Sequence, residues 1–243
     1  MAMQSEERDS QAGGFSLDAM SFATGIKGAT IPLLTLKQRR QLVALATLLR
    51  LPPRSTVYRE GDALAWIFIN GGGVVKSFRE LPSGKRRIMA FLFPRDVFGL
   101  AENGRYVNTT KTITNSRLYR IPYDALVATL RRDADLNFQF VCKVTQKLRE
   151  AQRQTIAMGR RDAIGRLAMF LKMIEPEDSA KAHDARIQVP MSRTDIGEYL
   201  GLSLEAVSRA TRKLALQGIV VFESSHVARV IDRAGFERLV ARV

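Results

Sequence analysis

Glu205, Ser208 and Arg209 follow one another at spacings of three and one, on a stretch whose apolar residues recur at helical period. A carboxylate, a hydroxyl and a guanidinium on the first turns of a helix make a compact hydrogen-bonding surface. Base edges in the major groove of double-stranded DNA are read by such groups, and a helix entering that groove offers its N-terminal side chains to them. A generic helical hairpin matches the periodicity equally well. Only the polar groups on the exposed side distinguish a reader from a packing element.

The elements that must position these residues are legible on either side. Ser192 with Asp195 three residues on is a capping-box-like start, and Pro190 discourages an earlier one. Ile196, Tyr199 and Leu200 supply the apolar face of a first helix. Gly201 permits the left-handed backbone of a sharp stop, and Ser203 can cap the second helix. Val207, Leu214 and Leu216 are expected to point that helix at a core before Gly218 ends it. Ile219–Glu223 and Val227–Ile231 then read as a two-stranded wing around Ser224–His226. Asp232 is placed to cap a last helix, Arg233–Ala241.

Upstream the texture changes. Residues 1–30, rich in Ser, Gly, Asp and Glu, read as a flexible arm with a short helix near Leu17–Phe22. Thr35–Leu49 looks like one amphipathic helix, stopped by Pro52 and Pro53. Short β-like runs separated by turns follow: Thr56–Arg59, Trp66–Asn70, Val74–Arg79, Arg87–Phe93, Asn108–Thr114 and Arg117–Ile121. That rhythm argues for an all-β sandwich or barrel over residues 31–132. The run Gly71–Gly73 reads as a hairpin turn, not a phosphate cradle, because no capped helix opens after it.

After a short helix starting near Tyr123, a long one is expected over Asp133–Met158. Val141, Val144, Leu148, Ala151, Thr155 and Met158 alternate at spacings of three and four, the seam of a coiled-coil dimer. The repeat is short, and an ordinary helix packed on the β domain would also show it. Gly159 ends the helix at a natural hinge. A further helix, Asp162–Ile174, precedes an acidic loop, Glu175–Asp184, and opens the C-terminal domain, residues 160–243.

Charge adds less than it first promises. Lys and Arg number 38 against 24 acids, a net +14, which suits a polyanionic partner. Residues 31–132 hold 18 basic and 6 acidic side chains, whereas 160–243 hold 14 and 11. The expected reader is not the most basic part. Arg79, Lys85, Arg86 and Arg87 can meet flanking DNA, an acidic face of RNA polymerase, or solvent. One cysteine excludes an internal disulfide and a Cys-rich metal site from this chain alone. No signal-like or 18-residue apolar run is present, so a cytoplasmic protein with no membrane partner is expected. No paired carboxylates or nucleophile–base set assembles, so the chain is not expected to be an enzyme.

Taken in order, the β domain, long helix and hairpin resemble the Crp/Fnr superfamily of transcription regulators over about Pro32–Val243. The likeness is strongest at MSRTDIGEYLGLSLEAVSRATRKLALQGIV and next at WIFINGGGVVKSF and FPRDVFGL. It implies an α+β fold: an N-terminal β-roll, jelly-roll-like and of the cyclic-nucleotide-binding type, then a long dimerisation helix (133–159) and a C-terminal winged helix-turn-helix. Glu205, Ser208 and Arg209 resemble the E-x-x-S-R pattern of the Fnr branch. In the catabolite-activator branch Arg precedes the Glu, where Leu204 stands here.

Fnr-branch proteins recognise TTGA, about six unread base pairs, then TCAA. Arg209 suits guanine, Glu205 the amino group of cytosine or adenine, and Ser208 a thymine edge. Arg193, Ser203, Arg212 and Lys213 are placed for phosphates, or for a solvated helix surface. Partners implied are double-stranded DNA, a second copy of the chain and, for an activator, RNA polymerase. By analogy the regulon concerns low-oxygen or nitrogen-oxide metabolism.

The sensory residues depart from the family pattern. A ribose-holding Gly-Glu pair aligns with Gly99–Leu100, and the phosphate-holding Arg-Ser with the segment Val107–Thr110. Glu102 and Arg105 are nearby at the wrong spacing. A four-thiolate iron–sulfur cluster cannot be built from Cys142 alone. Haem would need ligands other than His183 in the acidic loop and His226 in the wing. Cys142 reads as an inert packed residue or, if exposed beside Lys143 and Arg149, as a redox-active thiol. No cofactor is expected, and the FixK-like group offers the pattern of a regulator without an effector. Two alternatives stay open: the same reader gated by a β-roll ligand such as haem or an anion, or a regulatory subunit controlling a partner protein.

Overall fold

The computed structural model describes residues 34–159, 162–176 and 186–241. The expected N-terminal arm and most of the acidic loop, with His183, lie outside the described residues. The chain forms two compact units. One gathers residues up to Arg79 with Met89–Arg149, the other Glu80–Ile88 with Glu150–Val243.

In the first unit, Thr35 caps helix α1 (Leu36–Leu45) through a complete capping box with Gln38. The helix does not run on to Leu49 as its periodicity suggests. Residues 47–51 instead form strand β1 (Thr47–Leu51), paired residue by residue with β10 (Ser116–Pro122). Leu48 packs into one apolar cluster and Leu49 into the other. A leucine pair that fits a helical stripe thus fits equally a strand partly covered on both faces, and the long-range pairing decides.

Eight further strands lie between them: β2 (Thr56–Tyr58), β3 (Trp66–Gly72), β4 (Val75–Glu80), β5 (Arg86–Leu92), β6 (Val97–Phe98), β7 (Ala101–Glu102), β8 (Arg105–Tyr106) and β9 (Thr109–Thr112). They form two four-stranded sheets, ordered β1-β10-β3-β6 and β2-β9-β4-β5, with β7-β8 as a separate ribbon. Gly71 and Gly72 end β3, and Gly73 turns the chain at φ 86°. The strand period of two divides the core. Ile67, Ile69, Tyr119 and Ile121 face Leu42 of α1, Leu126 of α2 (Tyr123–Arg132) and Leu136 and Phe140 of α3 (Ala134–Gly159). Phe68 and Leu118, one residue out of phase, meet Val75, Leu92, Phe98 and Tyr106.

The second unit packs α4 (Ala163–Ile174), α5 (Arg193–Leu200), α6 (Leu204–Leu216) and α7 (Arg233–Ala241) with a small sheet. Asp162 caps α4 and Asp232 accepts from the Gly235 amide at α7. The expected two-stranded wing, β12 (Val220–Ser224) and β13 (Val227–Val230), gains a third strand, β11 (Arg186–Gln188), antiparallel to β13. Ile187, fully buried, holds β11 there. No described helix is long and apolar enough to cross a membrane.

Candidate nucleic-acid interface

The helical pair forms as its caps dictate. Ser192 Oγ accepts the Asp195 amide at 3.0 Å and donates to the Asp195 carboxylate at 2.9 Å. Gly201 ends α5 in the left-handed region, at φ 67°. A Cβ on Gly197 would come within 2.6 Å of the Leu202 carbonyl, so the junction closes only over a bare backbone. Ser203 then caps α6 by accepting the Ala206 amide at 3.1 Å. Val207, Ala210, Thr211 and Leu214 make the buried stripe of α6. Leu216 is not part of it. It is 82% exposed, because two residues past Leu214 the helix has turned about 200° away from the core.

The opposite side of α6 is open. Glu205 and Arg209 are exposed and Ser208 half-buried beside them, so the structure brings the three expected readers onto one surface. Glu205's carboxyl is held below the usual carboxylate range, first by its own backbone amide, then by the Ser203 hydroxyl and the nearby Arg209. Arg212 and Lys213 are exposed one turn on. Arg193, the first residue of α5, donates from Nη1 to Ser208 Oγ at 3.4 Å. In the wing, Glu223 accepts from Arg186 Nε at 3.0 Å and Arg229 Nε at 2.7 Å. His226 is exposed, with Nδ1 3.2 Å from the Val189 carbonyl oxygen.

Residues 80–88, the tip of the β4–β5 hairpin, pack with these helices. Arg86 forms an ion pair with Glu198 of α5 at 3.5 Å, and the Arg87 guanidinium meets the Met158 sulfur. Gln154, buried, donates to the carbonyl oxygens of both Ile88 and Tyr199, each at 3.2 Å. No sequence pattern pointed to Gln154, since a lone Gln on a helix normally faces water.

Along α3, Val141, Val144 and Leu148 are 55%, 44% and 59% exposed, and Ala151 and Thr155 are exposed as well. Met158 leaves this row: it is half-buried against Arg87. Phe138 and Ile156, 60% and 51% exposed, extend the apolar surface and were missed. Phe138 carried a signal, standing three residues before Val141. Cys142 is half-buried beside this row. On the next face Lys143, 4% exposed, and Lys147 meet Asp96 at 3.5 and 2.7 Å.

Inside the β-roll, aromatic rings pack against one another. Tyr58 stacks on Tyr106 with ring centroids 4.0 Å apart, and Phe68 on Phe98 at 5.3 Å. Burial pushes the Tyr58 hydroxyl up to about 12, against the lowering effect of Thr110. Gly99 sits so close that a Cβ would be 3.0 Å from the Phe68 ring. Leu100, which the family resemblance aligned with a ribose-holding carboxylate, is half exposed. Arg105 faces Glu102 across the β7–β8 ribbon and donates to the Gly61 carbonyl at 2.8 Å. Among the described residues no three His, Cys, Asp or Glu side chains gather as metal ligands.

Known proteins match this arrangement. Residues 165–239 match the Crp-like helix-turn-helix domain, and residues 48–133 the cyclic nucleotide-binding domain. The solved structure of FixK2 from Bradyrhizobium japonicum superposes with a TM-score of 0.73 at 30% identity, over 82% of this chain and 98% of that one. The nitrogen fixation regulation protein FixK of Azorhizobium caulinodans is 28% identical over 200 residues, 82% of this chain and 81% of that protein. The transcriptional activator protein FnrA of Stutzerimonas stutzeri is 27% identical over 183 residues, 74% of this chain and 75% of that protein.

The fold and its exposed recognition helix define a DNA-binding transcription regulator. The chain belongs to the Crp/Fnr family. Its relatives are regulators, not enzymes.

Proposed function

We propose that the protein binds a TTGA-(about six base pairs)-TCAA palindrome as a homodimer and does so without a small-molecule effector. The observation that carries this reading is the grouping of exposed Glu205 and Arg209 with half-buried Ser208 on one face of the first turns of α6. Arg209 forks onto guanine, Glu205 accepts from an amino group, and Ser208 meets the thymine edge. Arg193, Arg212 and Lys213 hold phosphates, while Ser203 serves first as the cap of α6. The dimer is supported by the exposed apolar row from Phe138 to Ile156, since a row of that length on a soluble helix calls for a cover. A two-fold dimer also matches a palindrome of half-sites one helical turn apart. Effector independence is supported by the stacked rings inside the β-roll and by Leu100 in place of a carboxylate.

Binding of the purified chain to this duplex, against a scrambled competitor and across a salt series, tests the reading. Tight, specific binding that Arg209→Ala abolishes is expected. Weak, salt-sensitive and sequence-blind binding would overturn it.

A further inference from the structure

Ser208 is held differently from several threonines on the described helices. Thr145, Thr155 and Thr211 each donate to the carbonyl four residues upstream, at 3.0, 3.0 and 2.9 Å. That back-bonding is the usual fate of a hydroxyl inside a helix. Ser208 is engaged from outside its own helix, by Arg193 Nη1 at 3.4 Å, fifteen residues away in sequence.

We propose that Arg193 is a positioning residue for base recognition: its guanidinium occupies an acceptor site of Ser208 Oγ and leaves the hydroxyl to meet the base as a hydrogen-bond donor. The proposal rests on the reading of α6 as the base-reading helix. A hydroxyl has one proton to give and two lone pairs to offer. With a cation on one lone pair, an approaching amino group meets a positive neighbour, whereas an acceptor meets a polarised O–H. In the major groove this separates thymine O4, guanine O6 and the purine N7 atoms from adenine N6 and cytosine N4. Ser208 thereby selects acceptor edges against amino edges.

The origin of the guanidinium is well held. Arg193 follows the cap residue Ser192, and Ile196, Tyr199 and Leu200 bury the other face of its helix. The Gly197–Leu202 contact fixes α5 against the start of α6. The remaining donors of the fork stay available to a phosphate, so both roles can be filled at once. They leave different traces.

The test is a double-mutant cycle on the full chain with R193A, S208A and the double variant. Binding is measured to the TTGA/TCAA duplex, to a symmetric panel replacing each half-site base, and across a salt series. Positioning predicts that R193A weakens discrimination at a single half-site position by about three- to tenfold, the worth of one hydrogen bond. S208A should lose discrimination at the same position, and the double variant should match S208A. A phosphate contact alone would lower affinity for every duplex by one factor and reduce the salt slope by about 1, with the singles multiplying in the double. That result overturns the proposal and leaves the base-reading helix standing. A wild-type chain that does not prefer TTGA to scrambled DNA overturns both, and the wild-type arm alone reports it. Unchanged thermal midpoints for the variants confirm that binding, not folding, is compared.

Discussion

Arg86 Nε lies 3.5 Å from Glu198 Oε1, joining the tip of a β-hairpin to the helix that precedes the recognition helix. The tip belongs to the second unit, and within that unit Arg86 and Arg87 have a use beyond flanking DNA, polymerase or solvent. The pair is partly exposed, and such pairs contribute about 1 kcal/mol at most. The stronger tie is the buried amide behind it.

Gln154→Ala leaves the carbonyls of Ile88 and Tyr199 without their shared donor. A buried group losing its partner costs about 1–3 kcal/mol. Urea unfolding of the full chain should show that loss, while Arg86→Ala changes the midpoint far less. Equal effects would contradict the ranking.

Glu175 gives the C-terminal unit a pH dependence. Its side chain is 1% exposed and receives Arg233 at 2.6 Å and Lys172 at 3.0 Å. Burial pushes its carboxyl up, but the hydrogen bonds from Arg233 and Lys172 outweigh this and hold it below the ordinary range. A depressed folded value stabilises above the unfolded pKa of about 4.3, and that contribution fades as pH falls through the folded value. Glu175→Gln should cost about 2 kcal/mol at neutral pH, less than a fully buried pair because its partners are a third exposed. In urea melts the gap from wild type should begin to narrow below about pH 4 and close as pH falls through the folded value. A gap that does not narrow with acid would refute the assignment.

The proposed seam separates two kinds of residue. Leu148→Asp places a charge in the exposed apolar row and should shift sedimentation toward a monomer. Met158→Ala, off that row and against Arg87, should leave the assembly state unchanged. A dimer surviving Leu148→Asp would exclude this face as the interface.

Arg212 and Lys213, exposed one turn beyond the readers, should act on affinity and not on sequence preference. Replacing either with Ala should reduce the salt slope by about 1 and weaken cognate and mismatched duplexes equally. A change confined to one base position would instead assign that residue to the bases.

What sequence alone reveals here follows the range of the forces. The caps at Ser192 and Ser203 and the left-handed Gly201 were legible because each depends on neighbours within four residues. The helix expected through Leu49 was not, because β1 exists through partners about 70 residues away in β10. Leu216 was misplaced for a smaller reason: its neighbour Leu214 holds the last buried position on that stripe. The third strand of the wing and the bridging role of Gln154 depend on chain that is distant in sequence, so no local pattern announces either.

Glu205, fully exposed and ionised, sits where the proposed reading brings two rows of phosphates close. On a matching site an amino group meets the carboxylate and replaces the amide and hydroxyl that hold it in the free protein. On any other sequence the same negative charge faces phosphates with no amino group to meet it. Under the proposed reading its larger effect is then on the many wrong sites: it would shorten the protein's stay on them and hasten its passage to the right one.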